Sequence, residues 1–131
     1  MATVAILLGC IAAYIISQAI KNLLDFVRGV WSPHSILASG GMPSSHAATV
    51  SALATGLFLN EGLSSAFAVS LVLLAIVAAD ARGVRHRLGE LSATVNRFHK
   101  TNHETRIGHT SLEVISGILL GLVLGWVAWL L

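Results

Sequence analysis

The sequence has little charge and almost no cysteine. Of its 131 residues, 11% are charged and 55% are hydrophobic, and the mean hydropathy is +0.80. Because soluble globular proteins carry about 25% charged residues, this composition excludes an ordinary soluble domain. The single cysteine, Cys10, excludes an intrachain disulfide and a cysteine-based metal cluster.

The basic residues do not indicate a nucleic-acid partner. The formal net charge is +2 and the pI is about 9.2. The eight Lys and Arg residues are scattered among apolar segments and form no continuous basic face. We therefore expect no nucleic acid among the partners.

Most of the sequence consists of four apolar runs. They cover residues 3–20, 47–59, 62–79 and 112–131. A helix needs roughly 20 residues to cross a hydrocarbon core about 30 Å thick, so the chain has room for about four crossings. The sequence predicts an all-α, polytopic membrane bundle of about four transmembrane helices, formed as one domain over residues 1–131.

All the basic residues fall on one side of this predicted bundle. They are Lys21, Arg28, Arg82, Arg85, Arg87, Arg97, Lys100 and Arg106. Lys and Arg are enriched in cytoplasmic loops, so we expect that side to be cytoplasmic and the chain to lie in the cell membrane.

A stripe of small residues lies on the last predicted helix. Gly117, Gly121 and Gly125 recur every four residues, a spacing that lets a second helix approach closely. Packing is the favoured interpretation, and a homo-oligomer formed through these glycines is an alternative.

An amphipathic helix is predicted in the loop that follows residue 80. Its apolar residues form one narrow stripe: Val84, Leu88, Leu91, Val95 and Phe98. We expect this helix on the cytoplasmic side, either in the headgroup region or docked on the bundle. Gly89 weakens the helix locally.

Lys21 and Arg28 form the first candidate group. They are seven residues apart, which places them on one face if the first helix continues beyond the membrane. Two cations so placed can clamp a phosphate. The alternative is that they are anchors whose charged ends reach lipid headgroups.

The second candidate group is the segment 39–46, which runs from Ser39 through Gly40, Gly41, Met42, Pro43, Ser44 and Ser45 to His46. Glycine permits close backbone approach, and the free amides of a helix start bind anions. His46 then stands in the first helical turn, beside that anion site. The alternative is a capped helix with an incidental histidine.

His109 and Glu113 form the third candidate group, at the start of the last helix. Four residues apart, the carboxylate can reach the imidazole and leave its other nitrogen free as a nucleophile. Thr110 and Glu113 also fit a capping box, in which Glu113 accepts from the backbone instead. The pattern alone leaves both interpretations open.

Asp80, Arg82 and Arg85 end the third helix on the same side. Either arginine can add positive charge for a phosphate. Asp80 can orient an arginine, hold a divalent cation, or simply mark the membrane boundary.

These groups, in this order, resemble the three-part signature of the type 2 phosphatidic acid phosphatase and vanadium haloperoxidase superfamily. The match is more specific to its small, divergent, acid phosphatase-related branch, and it covers nearly the whole chain. The stretches that carry it are GGMPSSHAATVSALATG, DARGVR and GHTSLEVISGILLG.

The resemblance implies a role for each matching residue. His109 is the nucleophile that forms a phosphohistidine, Glu113 orients it, and His46 protonates the leaving oxygen. Lys21 and Arg28 clamp the phosphate. Amides or hydroxyls that contact the phosphate come from Gly40, Gly41, Ser44 and Ser45.

The third motif differs from the family pattern at two positions, and at one of them Glu113 replaces the usual aspartate. Position 103, where the family has arginine, is histidine in this chain. Arg106 or Arg85 is therefore expected to take that role. No cofactor is expected and vanadate is expected to mimic phosphate, while Asp80 and Glu113 leave room for Mg²⁺.

The sequence thus predicts a membrane-embedded phosphatase that acts on a lipid phosphate or diphosphate. The alternative is a non-catalytic protein that binds a phosphate or lipid headgroup, or a transport-related subunit. A third hypothesis is haloperoxidase activity with bound vanadate.

Overall fold

A computed structural model describes residues 2–36 and 40–131, and these residues form an all-helical bundle. The helices are α1 (Ala2–Val27), α2 (Ser45–Glu61), α3 (Ser65–Arg82), α4 (Val84–His99) and α5 (Ser111–Leu130). A short 3-10 helix covers Pro33–Ile36. The predicted fold class is confirmed. Ser39, included in the second candidate group, lies outside the described residues.

α2 is the central helix, and α1, α3 and α5 pack around it. The buried residues of α2 are all Ala, Ser or Gly, so its neighbours can approach its backbone closely. Three segments are long and apolar enough to cross a membrane: Ala2–Val27, Ser65–His99 and Ser111–Leu130. α2 has 17 residues and spans about 25 Å. The bundle therefore surrounds its short central helix with helices from the three segments that are long and apolar enough to cross a membrane.

The glycine stripe of α5 packs against α2 of the same chain. A Cβ atom at Gly117 or Gly121 would collide with the carbonyl oxygen of Ser44 or Ala48, and one at Gly125 would lie 2.8 Å from that of Ala52. Close helix approach was predicted correctly. These glycines are covered by α2, so they do not offer the surface for the homo-oligomer that the sequence suggested.

α1 continues well past the predicted end of its apolar run at residue 20. It ends at Val27, and the chain turns at Gly29, whose φ is +69°. The amide of Val30 donates to the Asp25 carbonyl across this turn at 3.0 Å. Lys21 therefore lies inside the helix, whereas Arg28 lies in the turn after it.

The helix order gathers the candidate residues at one end of the bundle. α2 and α3 are joined by a tight turn at Gly62, and Ser44 and Ser64 cap their first turns. α1 and α3 run toward the end that carries the basic residues, and α2 and α5 run away from it. Residues 28–36 and 40–44 consequently lie at that end, together with residues 83–110.

α4 has the predicted amphipathic pattern, and its apolar stripe does not dock on the bundle. Leu91 and Phe98 in this stripe are exposed. Gly89, expected only to weaken the helix, is buried. A Cβ atom there would lie 2.7 Å from the Thr105 carbonyl oxygen and 2.9 Å from that of Ile107. The glycine therefore permits the segment before α5 to lie against α4.

Candidate functional site

Backbone hydrogen bonds hold four chain segments together at the basic end. The Gly40 amide donates to the Arg106 carbonyl at 3.1 Å, and the His109 amide donates to the Ala81 carbonyl at 2.9 Å. The Ser44 amide donates to the carbonyl of Glu113 at 3.0 Å. The glycine-rich segment, the end of α3 and the start of α5 are thus fixed relative to one another.

A buried ion pair ties α1 to this assembly. Arg106 Nη1 donates to Asp25 Oδ2 at 2.6 Å, and Arg106 Nη2 donates to Asp25 Oδ1 at 2.7 Å. The Asp25 side chain is 1% exposed, and that of Arg106 is 36% exposed. Such a bidentate pair fixes the plane of the guanidinium. The carboxylate also raises the pKa of Arg106 through its hydrogen bond.

The side chains of Lys21 and Arg106 both lie against the Gly41 backbone. A Cβ atom at Gly41 would be 2.5 Å from Arg106 Nη2 and 3.2 Å from Lys21 Cδ, and the φ of Gly41 is +100°. Both the space and the backbone conformation require glycine. Lys21 is 3% exposed, so its charge is held inside the bundle end rather than in solvent.

Arg28 is placed differently from Lys21. Because α1 ends at Val27, Arg28 lies in the following turn and is exposed. Its charge still acts on the Asp25 carboxylate. The Arg28 amide still donates to the Leu24 carbonyl at 3.0 Å, so Arg28 keeps the helical register of Lys21. The two residues differ in exposure: Lys21 belongs to the buried cluster and Arg28 to its rim.

His109 is the buried imidazole of the site, with 4% exposure. Its Nδ1 lies 3.4 Å from Glu113 Oε2, and the backbone of Gly41 also acts on the ring. Burial lowers the pKa of His109, and the Glu113 carboxylate opposes this shift. The ring is therefore biased toward its neutral form.

Glu113 satisfies both interpretations that the sequence left open. Its Oε2 accepts the Thr110 amide at 2.9 Å, and its own amide donates to Thr110 Oγ1 at 3.3 Å, which completes a capping box. The same Oε2 atom faces His109 Nδ1. One carboxylate thus caps α5 and stands beside the imidazole.

His46 lies in the first turn of α2 and is exposed. The charges that act on its imidazole are those of Arg85, Lys21 and Asp80, and its own charge acts on His109. The two histidines of the second and third motifs are therefore brought to the same end of the bundle, one buried and one open.

Several groups expected to contact phosphate are engaged within the fold. The Gly40 and Ser44 amides have backbone acceptors. Ser44 Oγ accepts the amide of Ala47, and Ser45 Oγ lies 3.4 Å from Gln18 Nε2. The Gly40 and Ser44 amides are therefore corrections to the expected set of free donors, whereas the Ser44 and Ser45 hydroxyls accept in these contacts and keep their own O–H donors. The amides of Ser45 and His46 remain, because the first turn of a helix offers them no acceptor.

Asp80 pairs with Arg85, and the Arg85 Nε donates to Asp80 Oδ2 at 2.5 Å. Of the roles considered for Asp80, the structure shows the pairing with an arginine. Arg82, two residues after Asp80, is exposed at the end of α3. Within residues 2–36 and 40–131, no three His, Cys, Asp or Glu residues are grouped as metal ligands.

Arg106, rather than Arg85, is the arginine beside Lys21 and Gly41. His103, at the position where arginine was expected, is exposed, and its amide donates to Asn96 Oδ1 at 2.8 Å on α4. The chain therefore places an arginine in the cluster from a position three residues later.

Asp25 is the residue that sequence reasoning missed. It lies four residues after Lys21, so both share one helical face. An acidic residue among basic ones at the membrane end of a helix was the available signal. Its partner is 81 residues away, which the local pattern of α1 does not reveal.

With this geometry described, comparison with known proteins assigns the family. The profile of the Divergent PAP2 family matches residues 3–124. This chain belongs to the divergent PAP2 family. It is also 37% identical to the uncharacterized membrane protein YuiD of Bacillus subtilis (strain 168), over 92% of this chain and 93% of that protein. No solved structure gives a significant match.

Membership of the divergent PAP2 family makes this chain a membrane protein related to PAP2, as its resemblance predicted. The matched range contains every residue of the cluster, from Lys21 in α1 to Glu113 in α5. The cluster is therefore part of the family domain rather than an addition to it.

Proposed function

We propose that this divergent PAP2 protein is a membrane-embedded phosphatase that hydrolyses a lipid phosphate or diphosphate through a phosphohistidine. The observation that carries the proposal is His109, a buried imidazole whose Nδ1 lies 3.4 Å from the Glu113 carboxylate. A neutral imidazole oriented by a carboxylate is a competent nucleophile.

Phosphate binding falls to Lys21 and Arg106. The Arg106 guanidinium and the Lys21 side chain both lie against the Gly41 backbone, and the pairing with Asp25 occupies two of the five N–H groups of the guanidinium. The remaining N–H groups can donate to phosphate oxygens. The amides of Ser45 and His46 add the partial positive charge of a helix start. Arg28 contributes from the rim.

The chemical step uses the two histidines. His109 Nε2 attacks phosphorus, the bond from phosphorus to the leaving oxygen breaks, and His46 gives that oxygen a proton. Water then hydrolyses the N–P bond, which releases inorganic phosphate and restores the imidazole. Lys21 and Arg106 stabilise the charge of the transferring group throughout.

The location of the site favours a lipid substrate. The cluster lies where apolar helices long enough to cross a membrane end, so a phosphate can enter at headgroup level while its tails stay in lipid. Because the basic residues share this end, the positive-inside rule places the site on the cytoplasmic side of the cell membrane.

The test is phosphate release by the purified protein in lipid, with phosphatidate, phosphatidylglycerol phosphate and polyprenyl diphosphates, each with and without Mg²⁺. His109→Ala and His46→Ala should both abolish release. His99→Ala, an exposed histidine at the end of α4, is the matched control and should leave release unchanged. Equal release by the wild type and His109→Ala would refute the proposal.

A second candidate is a protein that binds the phosphate headgroup without hydrolysing it. The observation that favours it is the covered imidazole of His109, at 4% exposure. In that case no substrate yields phosphate, and His109→Ala keeps the wild-type affinity for the lipid. Release that depends on His109 excludes this candidate.

A further inference from the structure

α4 has two faces that contact different surroundings. One face packs against the segment that precedes α5, and the other carries the apolar stripe of Val84, Leu88, Leu91, Val95 and Phe98. With about 100° of rotation per residue, Gly89 and Asn96 lie on the first face. Leu91 lies on the far side of the helix.

The packed face holds the segment that carries Arg106 and His109. Asn96 Nδ2 donates to the His103 carbonyl at 2.9 Å, and Asn96 Oδ1 accepts the His103 amide at 2.8 Å. Further along, Gly89 meets the carbonyl oxygens of residues 105 and 107. At the start of α4, Gly108 lies directly against the backbone of residues 85 and 86. α4 therefore supports this segment along most of its length.

The opposite face has no partner within the described chain. Its exposed apolar side chains are Val84 (70%), Leu88 (48%), Leu91 (60%) and Phe98 (76%). An apolar stripe of this size on a charged helix is stable only against another apolar surface. The bundle does not supply one, because these side chains point away from it.

The position of α4 after α3 and the basic residues around it indicate what covers the apolar stripe. Only Gly83 separates α4 from α3, and the two helices form one candidate membrane segment, Ser65–His99. α4 therefore starts where α3 leaves the hydrocarbon. Between residues 82 and 100 the charged residues are basic except for Glu90: Arg82, Arg85, Arg87, Arg97 and Lys100. Basic residues beside an apolar stripe suit an anionic lipid surface.

We propose that the apolar stripe of α4 lies in the anionic headgroup layer of the membrane, and that α4 thereby holds the Arg106–His109 segment at headgroup level. The partner is a lipid surface, and the docking does not depend on catalysis. This gives α4 a positioning role, because one of its faces contacts lipid and the other holds the segment that carries Arg106 and His109.

The experiment measures the depth of single fluorescent labels in the full chain. In a Cys10→Ser background, Leu91→Cys and the adjacent Glu90→Cys are labelled with an environment-sensitive dye. Thr105→Cys reports on the supported segment. Each protein is placed in vesicles of phosphatidylcholine, with or without phosphatidylglycerol, containing nitroxides attached to the acyl chain or to the headgroup. Leu88→Cys repeats the measurement if Leu91→Cys does not fold.

The proposal predicts that the acyl-chain nitroxide quenches the label at Leu91 several-fold more than the label at Glu90. Phosphatidylglycerol should increase this quenching, and the headgroup nitroxide should quench the label at Thr105. Equal weak quenching at Leu91 and Glu90 would overturn it, as would indifference to phosphatidylglycerol. A label at Leu91 that is protected from both nitroxides, and loses this protection when the protein is diluted in lipid, would overturn the proposal and show that the stripe packs against a second copy of the chain.

Discussion

The buried face of α1 has one half lined by small residues and one half lined by charged residues, and the buried residues have the same spacing in both halves. Its buried residues recur every fourth position: Gly9, Ala13, Ser17, Lys21 and Asp25. The first three are small, and the last two are charged. The same helical geometry thus serves helix packing at one end of the bundle and holds an ion cluster at the other.

The partners of the two halves differ as well. Gly9 faces α5, where its Cβ would lie 3.0 Å from that of Ala128, and Ala13 packs with Ala48 and Ala52 of α2. The charged half meets Arg106, from a connecting segment. Burying charge costs several kcal/mol per ion before pairing is counted. The packing half needs no such groups, so the charged half is best explained by ligand chemistry.

The largest expected effect comes from overfilling the packing half. Gly121→Leu places a side chain against the Ala48 carbonyl oxygen and Ser51 Cβ, and should cost at least about 3 kcal/mol. We expect little folded protein in detergent, measured by size-exclusion chromatography and circular dichroism. Val123→Leu, at an exposed position of the same helix, is the control and should behave as the wild type.

Lys21 and Arg28, the two cations of the first motif, should differ in how much each contributes to kcat/KM. Lys21 is buried beside Gly41 and Arg28 is exposed, so Lys21→Gln should lower kcat/KM for the preferred lipid about 10²-fold. Arg28→Gln should lower it less than about 3-fold, because an exposed charge is screened by solvent. Equal losses in the two variants would contradict this difference.

Asp25 should act by positioning Arg106. Asp25→Asn keeps an acceptor but loses the bidentate charge, so we expect about a 10-fold loss in kcat/KM, less than a full misplacement costs. Asp25→Glu should recover part of it. A merely structural role predicts that both variants lose unfolding temperature and keep kcat/KM in the fraction that remains folded.

The smallest expected effect is a shift in pH dependence. His109 must be neutral to attack, and burial lowers its pKa below the usual 6.5, so activity should persist below that pH. Glu113→Gln preserves a capping-box residue but removes the carboxylate that raises this pKa. The acid limb of kcat/KM should therefore move to lower pH in Glu113→Gln. Movement to higher pH would contradict the assigned electrostatics.

Local sequence patterns predicted the structural features that depend on residues close together in the chain. Hydrophobic runs indicated the helices, serine and threonine indicated their caps, and the glycine spacing indicated close packing. The partner of the glycine stripe was not predictable, because any helix with small residues fits it. α2 supplies that partner from within the chain.

The parts that were not predicted depend on burial and on contacts distant in sequence. The spacing of Lys21 and Arg28 did not reveal that the first is buried and the second exposed. Asp25 was missed because its partner comes from the other end of the chain. The assignment of roles to His46, His109 and the cations remains a prediction drawn from the motifs and this geometry.

The most direct test of the central claim is to trap the phosphorylated protein. Wild-type protein in lipid vesicles is mixed with a labelled lipid phosphate and quenched in alkali within milliseconds to seconds, and the modified residue is mapped by mass spectrometry. We predict an acid-labile, alkali-stable phosphoryl group on His109 that is absent from His109→Ala. Turnover without any phosphohistidine, or with one at another histidine, would contradict the account.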